Sequence, residues 1–219
     1  MPELDFQIER AEPVTFAAIP QLAFKLRIEQ VGAEQRALIQ AIALRCQIRI
    51  EPTRRRYSEQ EQRRLVDLFG QPERWSKTLH HMLWTHAGVV VPPFTEAVAV
   101  DLPVPCSYDF NLAATRYFDA LGGGELPLCL LFSGTVFYET ELDGLQVTQI
   151  SWDKEAKFRL PVDVWRAMMD HYYPNTAWLC VHREVFDALA EFKGRNGIPT
   201  WDQALNDLLD AQQEVEIVK

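Results

Sequence analysis

From Leu22 the chain alternates in a simple way. Leu22, Phe24, Leu26 and Ile28 are apolar, while Ala23, Lys25, Arg27 and Glu29 fill the places between them. Successive side chains of a strand point to opposite faces, so this pattern predicts a strand with one face in a core and one in water. Leu38, Ile42, Leu44, Cys46, Ile48 and Ile50 repeat the pattern, broken at Gln40, with Arg45, Gln47, Arg49 and Glu51 opposite them. The segment VGAEQR separates the two runs and predicts a long antiparallel hairpin whose polar faces pair Lys and Arg with Glu.

The period then changes. Ser58 followed by Glu61 is a capping box, and Leu65, Val66 and Phe69 before Gly70 complete a helix. Pro72 opens a shorter helix with Trp75 and Leu79. The stretch MLWTHAGVVVPPF returns to strand character and closes at Pro92 and Pro93. AVAVDLPVPCSY reads as an edge strand, because its prolines cannot donate to a ladder. A helix from about Asp109 to Leu121 ends at Gly122 to Gly124, which follow a helix and precede a strand, the reverse of a phosphate-binding loop.

The strongest hairpin signal runs from Leu126 to Thr140, turns at Asp143-Gly144 and returns from Leu145 to Trp152. Leu128, Leu130, Phe132, Val136 and Tyr138 share a face with Gly134, whereas Cys129, Leu131 and Phe137 take the other, so the strand is expected to be central and covered on both sides. Beyond it, Pro161 to Tyr173 predicts a helix with Val164, Trp165, Met168 and Met169 as its stripe. A short strand over Thr176 to Val181 follows, then helices from Glu184 to Lys193 and from Trp201 to Ala211, the last capped by Thr200 with Gln203.

These elements assemble into an α+β fold: an antiparallel β-sheet or two-layer β-sandwich built from two long hairpins, packed by helices, with a helical C-terminal region. No linker divides the 219 residues, which are read as a single domain. The hairpins recur about 90 residues apart, suggesting a weak internal duplication over about 1–90 and 91–160, followed by a helical tail over 161–219.

Composition bounds the function. Hydrophobic residues make up 47% and charged ones 24%, typical of a soluble globular protein, and a chain this long buries roughly 70% of its unfolded surface. A formal charge of −9 repels phosphate backbones and anionic headgroups, so nucleic acid is not an expected partner. Arg54, Arg55 and Arg56, the one dense basic run, read as a solvated loop. MPELDFQIER lacks the apolar core of a signal peptide, and no run approaches the roughly 20 apolar residues of a membrane span, so a cytoplasmic protein without membrane insertion is expected. Cys46, Cys106, Cys129 and Cys180 show no C-x-x-C spacing and are read as small core hydrophobes in a reducing compartment.

Candidate chemistry is thin. His80, His81 and His86 lie in TLHHMLWTHAG at separations of one, five and six, which fit neither the i, i+3 or i, i+4 spacing of a helical chelate nor the i, i+2 spacing of a strand. Ser133 in LFSGTV lacks the first glycine of a nucleophile elbow, and Leu131 stands there. Cys180 and His182 would share a strand face without an evident activating group. Glu139, Glu141 and Asp143 cluster at a hairpin tip and Asp153 with Glu155 at another loop, where water keeps carboxylates ordinary. No catalytic, cofactor-binding or metal-ligating residue is therefore expected, and no cofactor. The aromatics are the better lead: of six Trp, six Tyr and twelve Phe, the group Phe137, Tyr138, Trp152, Tyr172 and Tyr173 gathers around the second hairpin and the helix after it, as candidate partner-binding residues.

DLPVPCSYDFNLAATRYFDAL, LLFSGTVFY, YYPNTAW and GIPTWDQALNDLL together resemble an uncharacterised bacterial family, a domain of unknown function, over nearly the whole chain. That family is associated with gene clusters for the actinobacterial type of nickel–iron hydrogenase, which implies an accessory or assembly role and a hydrogenase subunit as partner, but brings no established site residues. FQIERAEPVTFAAIP with the hairpin after it is also similar to the export chaperone SecB, over the first quarter of the chain. The expectation is a non-enzymatic accessory protein that binds another protein through sheet edges and exposed aromatics, with a homo-oligomer left open. The competing expectation is an enzyme or small-ligand binder with a polar pocket between sheet and C-terminal helices, marked by His171, His182 or Glu139. Nickel or zinc handling is a third.

Overall fold

Leu4, Phe6 and Ile8 are buried while Glu3, Asp5, Gln7 and Glu9 between them are exposed, and this alternation makes the first strand, β1 (Glu3–Pro13). The structure, a computed structural model, describes residues 2–32, 36–106, 112–140, 144–176 and 181–217, with 112 and 212–217 described by backbone alone. The chain divides into two compact units, Met1–Asn175 and Thr176–Lys219.

In the first unit β1 pairs antiparallel with β2 (Gln21–Val31), and β2 pairs antiparallel with β5 (Ala97–Pro105), giving a three-stranded sheet of order β1-β2-β5. A second, five-stranded sheet runs β4 (Met82–Val91), β3 (Leu38–Ile50), β6 (Glu125–Thr140), β7 (Gly144–Gln149), with β8 (Glu155–Pro161) also paired to β6. β5 is an edge strand, as its prolines require.

The hairpin expected between the runs at Leu22 and Leu38 does not form. Both hydrogen-bonding edges of β2 are taken by β1 and β5, and both edges of β3 by β4 and β6, so the two strands lie in different sheets. The first of the two hairpins whose spacing suggested a duplication is therefore absent. The second hairpin forms, with Thr140 opposite Gly144, and residues 141–143, including the expected turn residue Asp143, lie outside the described residues. Its return strand is shorter than expected. β7 ends at Gln149, Ser151 to Lys154 form a turn, and β8 resumes the pairing on the same flank of β6.

The sheets face each other across one core. Phe6 of β1 stacks on Phe132 of β6 at 4.5 Å, and Phe24 of β2 meets Trp84 and Phe158 of the other sheet at 6.1 and 5.6 Å. Leu22, Phe24, Leu26, Ile28, Ile42, Ile48 and Ile50 are fully buried in this layer, each worth about 1.5–3 kcal/mol of apolar transfer. Gly134 is where β6 lies against β3 with no room for a side chain: its φ is +142°, and a Cβ there would collide with the carbonyl oxygen of Ala43. The glycine of LFSGTV thus belongs to strand packing, and β6 continues straight through Ser133.

Helices close one end. α1 (Glu59–Phe69) carries the predicted capping box, with Ser58 and Glu61 exchanging both hydrogen bonds, and buries Leu65 and Phe69. α2 (Trp75–Thr78) follows a short turn of 3-10 helix at Pro72. α3 (Leu112–Ala120) buries Tyr117 and Phe118; the expected start at Asp109 lies outside the described residues. α4 (Val162–Tyr172) buries Trp165, Met168 and Met169, and Trp165 stacks on Phe118 at 4.8 Å.

The second unit is a pair of helices, α5 (Arg183–Arg195) and α6 (Trp201–Ile217). Gly197 at φ +63° turns the chain between them, Thr200 Oγ1 accepts from the Gln203 N–H at 3.2 Å, and the rings of Phe186 and Trp201 meet at 5.3 Å. The strand expected over Thr176 to Val181 falls mostly on residues 177–180, outside the described residues, as does Cys180 of the Cys180–His182 pair.

Candidate functional site

The outer face of the five-stranded sheet is built by alternation from β3, β6 and β7. Register puts Ala41, Phe137 and Val147 in one row, Leu38, Glu139 and Leu145 in the next, and Ala43 beside Val90 of β4. Opposite-face neighbours such as Ile42, Val136 and Leu44 fill the core, which leaves the outer set to water. Val90 is 73% exposed, Leu145 62% and Val147 58%. Glu139 accepts from Gln40 Nε2 at 2.8 Å.

Beyond β7 the turn from Ser151 to Lys154 projects from the same flank of β6. It is closed by the Lys154 N–H donating to Ser151 O at 3.2 Å. Hydrogen bonds from the Ser151 side chain and from its own backbone hold the Asp153 carboxyl below the usual carboxylate range. This self-bonded turn presents Trp152 at 93% exposure. Beside it a cavity of about 290 Å³ opens between β1 and β7, bounded by Glu3, Leu4, Val136, Thr148 and Asp153, with Lys154 3.4 Å from Glu3.

The five sequence-predicted aromatics do not form one patch. Phe137 lies on the outer face and Trp152 on the projecting turn, whereas Tyr138, one residue on from Phe137, points inward and packs on the core. Tyr172 is a tie: its hydroxyl donates to Val14 O at 2.8 Å or Ala17 O at 2.9 Å, and His171 Nε2 lies 2.9 Å from Thr15 O. These contacts pin the loop between β1 and β2, whose Phe16 is 98% exposed. Tyr173 packs beside the core, and its N–H closes α4 on Met169 O at 2.7 Å. Leu145, Val147 and Val90 were missed, although the alternation LQVTQ carries the first two.

Two polar clusters complete the inventory. Glu61 accepts from Ser58 N–H at 2.8 Å, Gly122 N–H at 2.8 Å and Arg55 Nη2 at 2.6 Å, while Arg55 also donates to the carbonyls of Gly123 and Glu125. Arg55 is therefore drawn into the protein between its neighbours Arg54 and Arg56, against the solvated loop expected for that run, because a carboxylate and two carbonyls converge on it. Tyr57 and Tyr117 share a 2.6 Å hydrogen bond beside it, and burial pushes the Tyr57 hydroxyl up to about 12. The second cluster surrounds buried Glu51, with Lys157 Nζ at 3.2 Å, Arg54 Nε at 3.4 Å and His81 Nε2 at 3.9 Å.

Next to Lys157 sits Cys129, whose thiol burial pushes up against the opposing pull of that ammonium; a thiol held protonated is a poor nucleophile. His80, His81 and His86 are exposed. Among the described residues no group of three or more His, Cys, Asp or Glu is placed to hold a metal ion, and no helix is long and apolar enough to cross a membrane. Neither the cavity beside Trp152 nor a second of about 250 Å³ at Arg64, Arg116 and Asp119 includes His171, His182 or Glu139.

Comparison with curated proteins finds no match. Among solved structures, a β-glucosidase from Kluyveromyces marxianus in complex with glucose aligns at 9% identity and a TM-score of 0.24, over 73% of this chain and 15% of that one. A likeness that slight carries no argument. A family model described as a family of unknown function, DUF6084, matches residues 1–217, and with that span the chain belongs to DUF6084.

Proposed function

We propose that the chain is a cytoplasmic accessory protein without a reaction of its own, which binds a protein partner, a nickel–iron hydrogenase subunit or its precursor. The observation that carries the binding role is the pairing of an apolar patch on the outer sheet face, exposed Leu145 and Val147 beside half-buried Phe137, with Trp152 held out on a self-bonded turn. Large aromatics on rigid supports supply most of the energy in protein interfaces, and contiguous apolar surface on a sheet face is kept where something covers it. The choice of partner rests on the family resemblance of the quoted sequence stretches.

Affinity capture of the native chain from cells expressing the hydrogenase tests this reading. The expected result is recovery of a hydrogenase component by the wild-type chain and its loss with Trp152→Ala. Replicate captures that never recover such a component would overturn the choice of partner.

A further inference from the structure

The two sheets treat the cation in the middle of their outer faces differently. On the three-stranded sheet, Lys25 of β2 is flanked by carboxylates from both neighbouring strands, Glu12 of β1 at 2.7 Å and Asp101 of β5 at 2.8 Å. Opposite charges on neighbouring strands are the ordinary way for a sheet to carry a cation. On the five-stranded sheet the central cation of β3 is Arg45, and register sets Gly88 of β4 on one side of it and Ser133 of β6 on the other. Neither offers a charge. Arg45 is exposed, and among the described residues its guanidinium has no hydrogen bond or ion pair. The polar side chains in the rows beside it are engaged elsewhere: Gln47 Oε1 accepts from Arg49 at 3.1 Å, and Thr135 Oγ1 accepts from Gln149 at 3.1 Å.

We infer that Arg45 is the charged anchor of the partner-binding face: an amphipathic helix of the protein partner lies along β3 with its apolar side on Ala41 and Ala43, and sets a carboxylate on the Arg45 guanidinium. This rests on the protein-binding reading and specifies the chemistry of the partner. Ala41 and Ala43 lead up to Arg45 on alternate residues, with Phe137 and Val147 in the row of Ala41 and Val90 beside Ala43. Small side chains between larger ones leave a shallow trough of about 13 Å, the length of roughly nine helical residues. Helices are a usual cover for the face of a sheet. Once an apolar helix shuts out water, a guanidinium without a counter-charge is costly, whereas a carboxylate meets its paired N–H donors.

Charge and pairing select the occupant. Nucleic acid and anionic lipid surfaces carry many negative charges and would meet a chain of formal charge −9. A second copy of this chain has no unpaired carboxylate to bring on this face. Among the described residues Glu125 lies 3.9 Å from Arg159, Glu155 lies 3.3 Å from Lys157, and Glu139 accepts from Gln40 at 2.8 Å. The carboxylate therefore comes from a different protein, single and set among apolar residues.

The test uses the full chain and a fluorescein-labelled helical peptide of about sixteen residues, with leucines along one face and a glutamate at the end of that row, followed by anisotropy. A counterpart carries lysine in place of the glutamate. Each is titrated with wild type, with Arg45→Glu, and with Arg64→Glu, which makes the same change in net charge at an exposed arginine of α1. Expected are binding of the glutamate peptide by wild type and a loss of about tenfold for the lysine peptide or for Arg45→Glu. The lysine peptide with Arg45→Glu should recover to within about threefold of the original pair, and Arg64→Glu should change binding by less than about twofold. Near-UV circular dichroism matching wild type establishes that Arg45→Glu is folded.

An equal loss with Arg64→Glu, or no recovery in the charge-swapped pair, would overturn the contact at Arg45, and absence of binding by either peptide would overturn the helix. A dimer by sedimentation that Arg45→Glu dissolves would overturn the choice of occupant. Capture of a hydrogenase component that survives Arg45→Glu would sink the Arg45 anchor and leave the partner standing; charge-swapped recovery without any hydrogenase component would do the reverse.

Discussion

Glu61→Gln probes the link between the arginine loop, the start of α1 and the glycine turn that leads into β6. One carboxylate serves all three, through Arg55 Nη2 at 2.6 Å and the N–H groups of Ser58 and Gly122, each at 2.8 Å. Glutamine keeps the shape, but it replaces one acceptor oxygen with an NH₂ that must face a donor. Charge-assisted hydrogen bonds contribute about 1.5–3 kcal/mol each, and breaking a buried pair costs about 3–5 kcal/mol. Arg55, its side chain 10% exposed, keeps the carbonyls of Gly123 and Glu125, so a loss of about 2–4 kcal/mol is expected at pH 7. Urea unfolding followed by near-UV circular dichroism measures it.

The pH dependence has a definite sign. Burial raises the Glu61 pKa, but the bonds from Ser58, Gly122 and Arg55 together outweigh it and leave the carboxyl below its ordinary range. A depressed folded pKa gives stability that is present above the unfolded value, about 4.3, and lost as pH falls through the folded one. Glutamine does not titrate. The gap between wild type and variant should therefore be full at neutral pH and narrow below about pH 4. A gap under about 0.5 kcal/mol at pH 7, or one that widens on acidification, would refute the argument.

Gly134→Ala should cost about 3 kcal/mol or more, since it adds a Cβ at φ +142° against the Ala43 carbonyl; a midpoint of urea unfolding unchanged from wild type would contradict this. Burial pushes the thiols of Cys46 and Cys106 up to about 12, so an aromatic disulfide reagent at pH 8 should label them only after denaturation, and rapid labelling of the native chain would count against their burial. Tyr172→Phe should speed amide exchange in the loop between β1 and β2 by about tenfold with little change in the global midpoint; unaltered exchange would mean the tie carries no load. Trp152→Ala should change stability by less than about 0.5 kcal/mol while abolishing partner capture, and a large destabilisation would make Trp152 a packing residue.

Alternation predicted the faces of β2, β3 and β6 because burial on one side is written into every second residue, and Leu22 through Ile28 and Ile42 through Ile50 are buried as their spacing implies. It could not give partners. Which edge meets which depends on contacts far along the chain, and sequence adjacency suggested a pairing of β2 with β3 that β1 and β5 pre-empt. β1 and β8 carry the same period in Leu4, Phe6, Ile8 and in Ala156, Phe158, Leu160, but each is short of contrast beside stronger runs. Phe137 was legible as an outer residue, and the same alternation turns Tyr138 inward. The inward turn of Arg55 was not legible, since it depends on Gly123 and Glu125, about 70 residues away.

β7 and β8 occupy one flank of β6, with Gln149 opposite Thr135 above the turn and Glu155 opposite Leu131 below it. Ile150 N–H to Gly134 O and Phe132 N–H to Lys154 O, each 2.9 Å, clamp the two margins separately. The three residues between these clamps, Ser151, Trp152 and Asp153, are thus decoupled from the ladder on either side. Lengthening or rewriting them should leave both registers in place, so the recognition proposed for Trp152 is separable from the sheet that carries it.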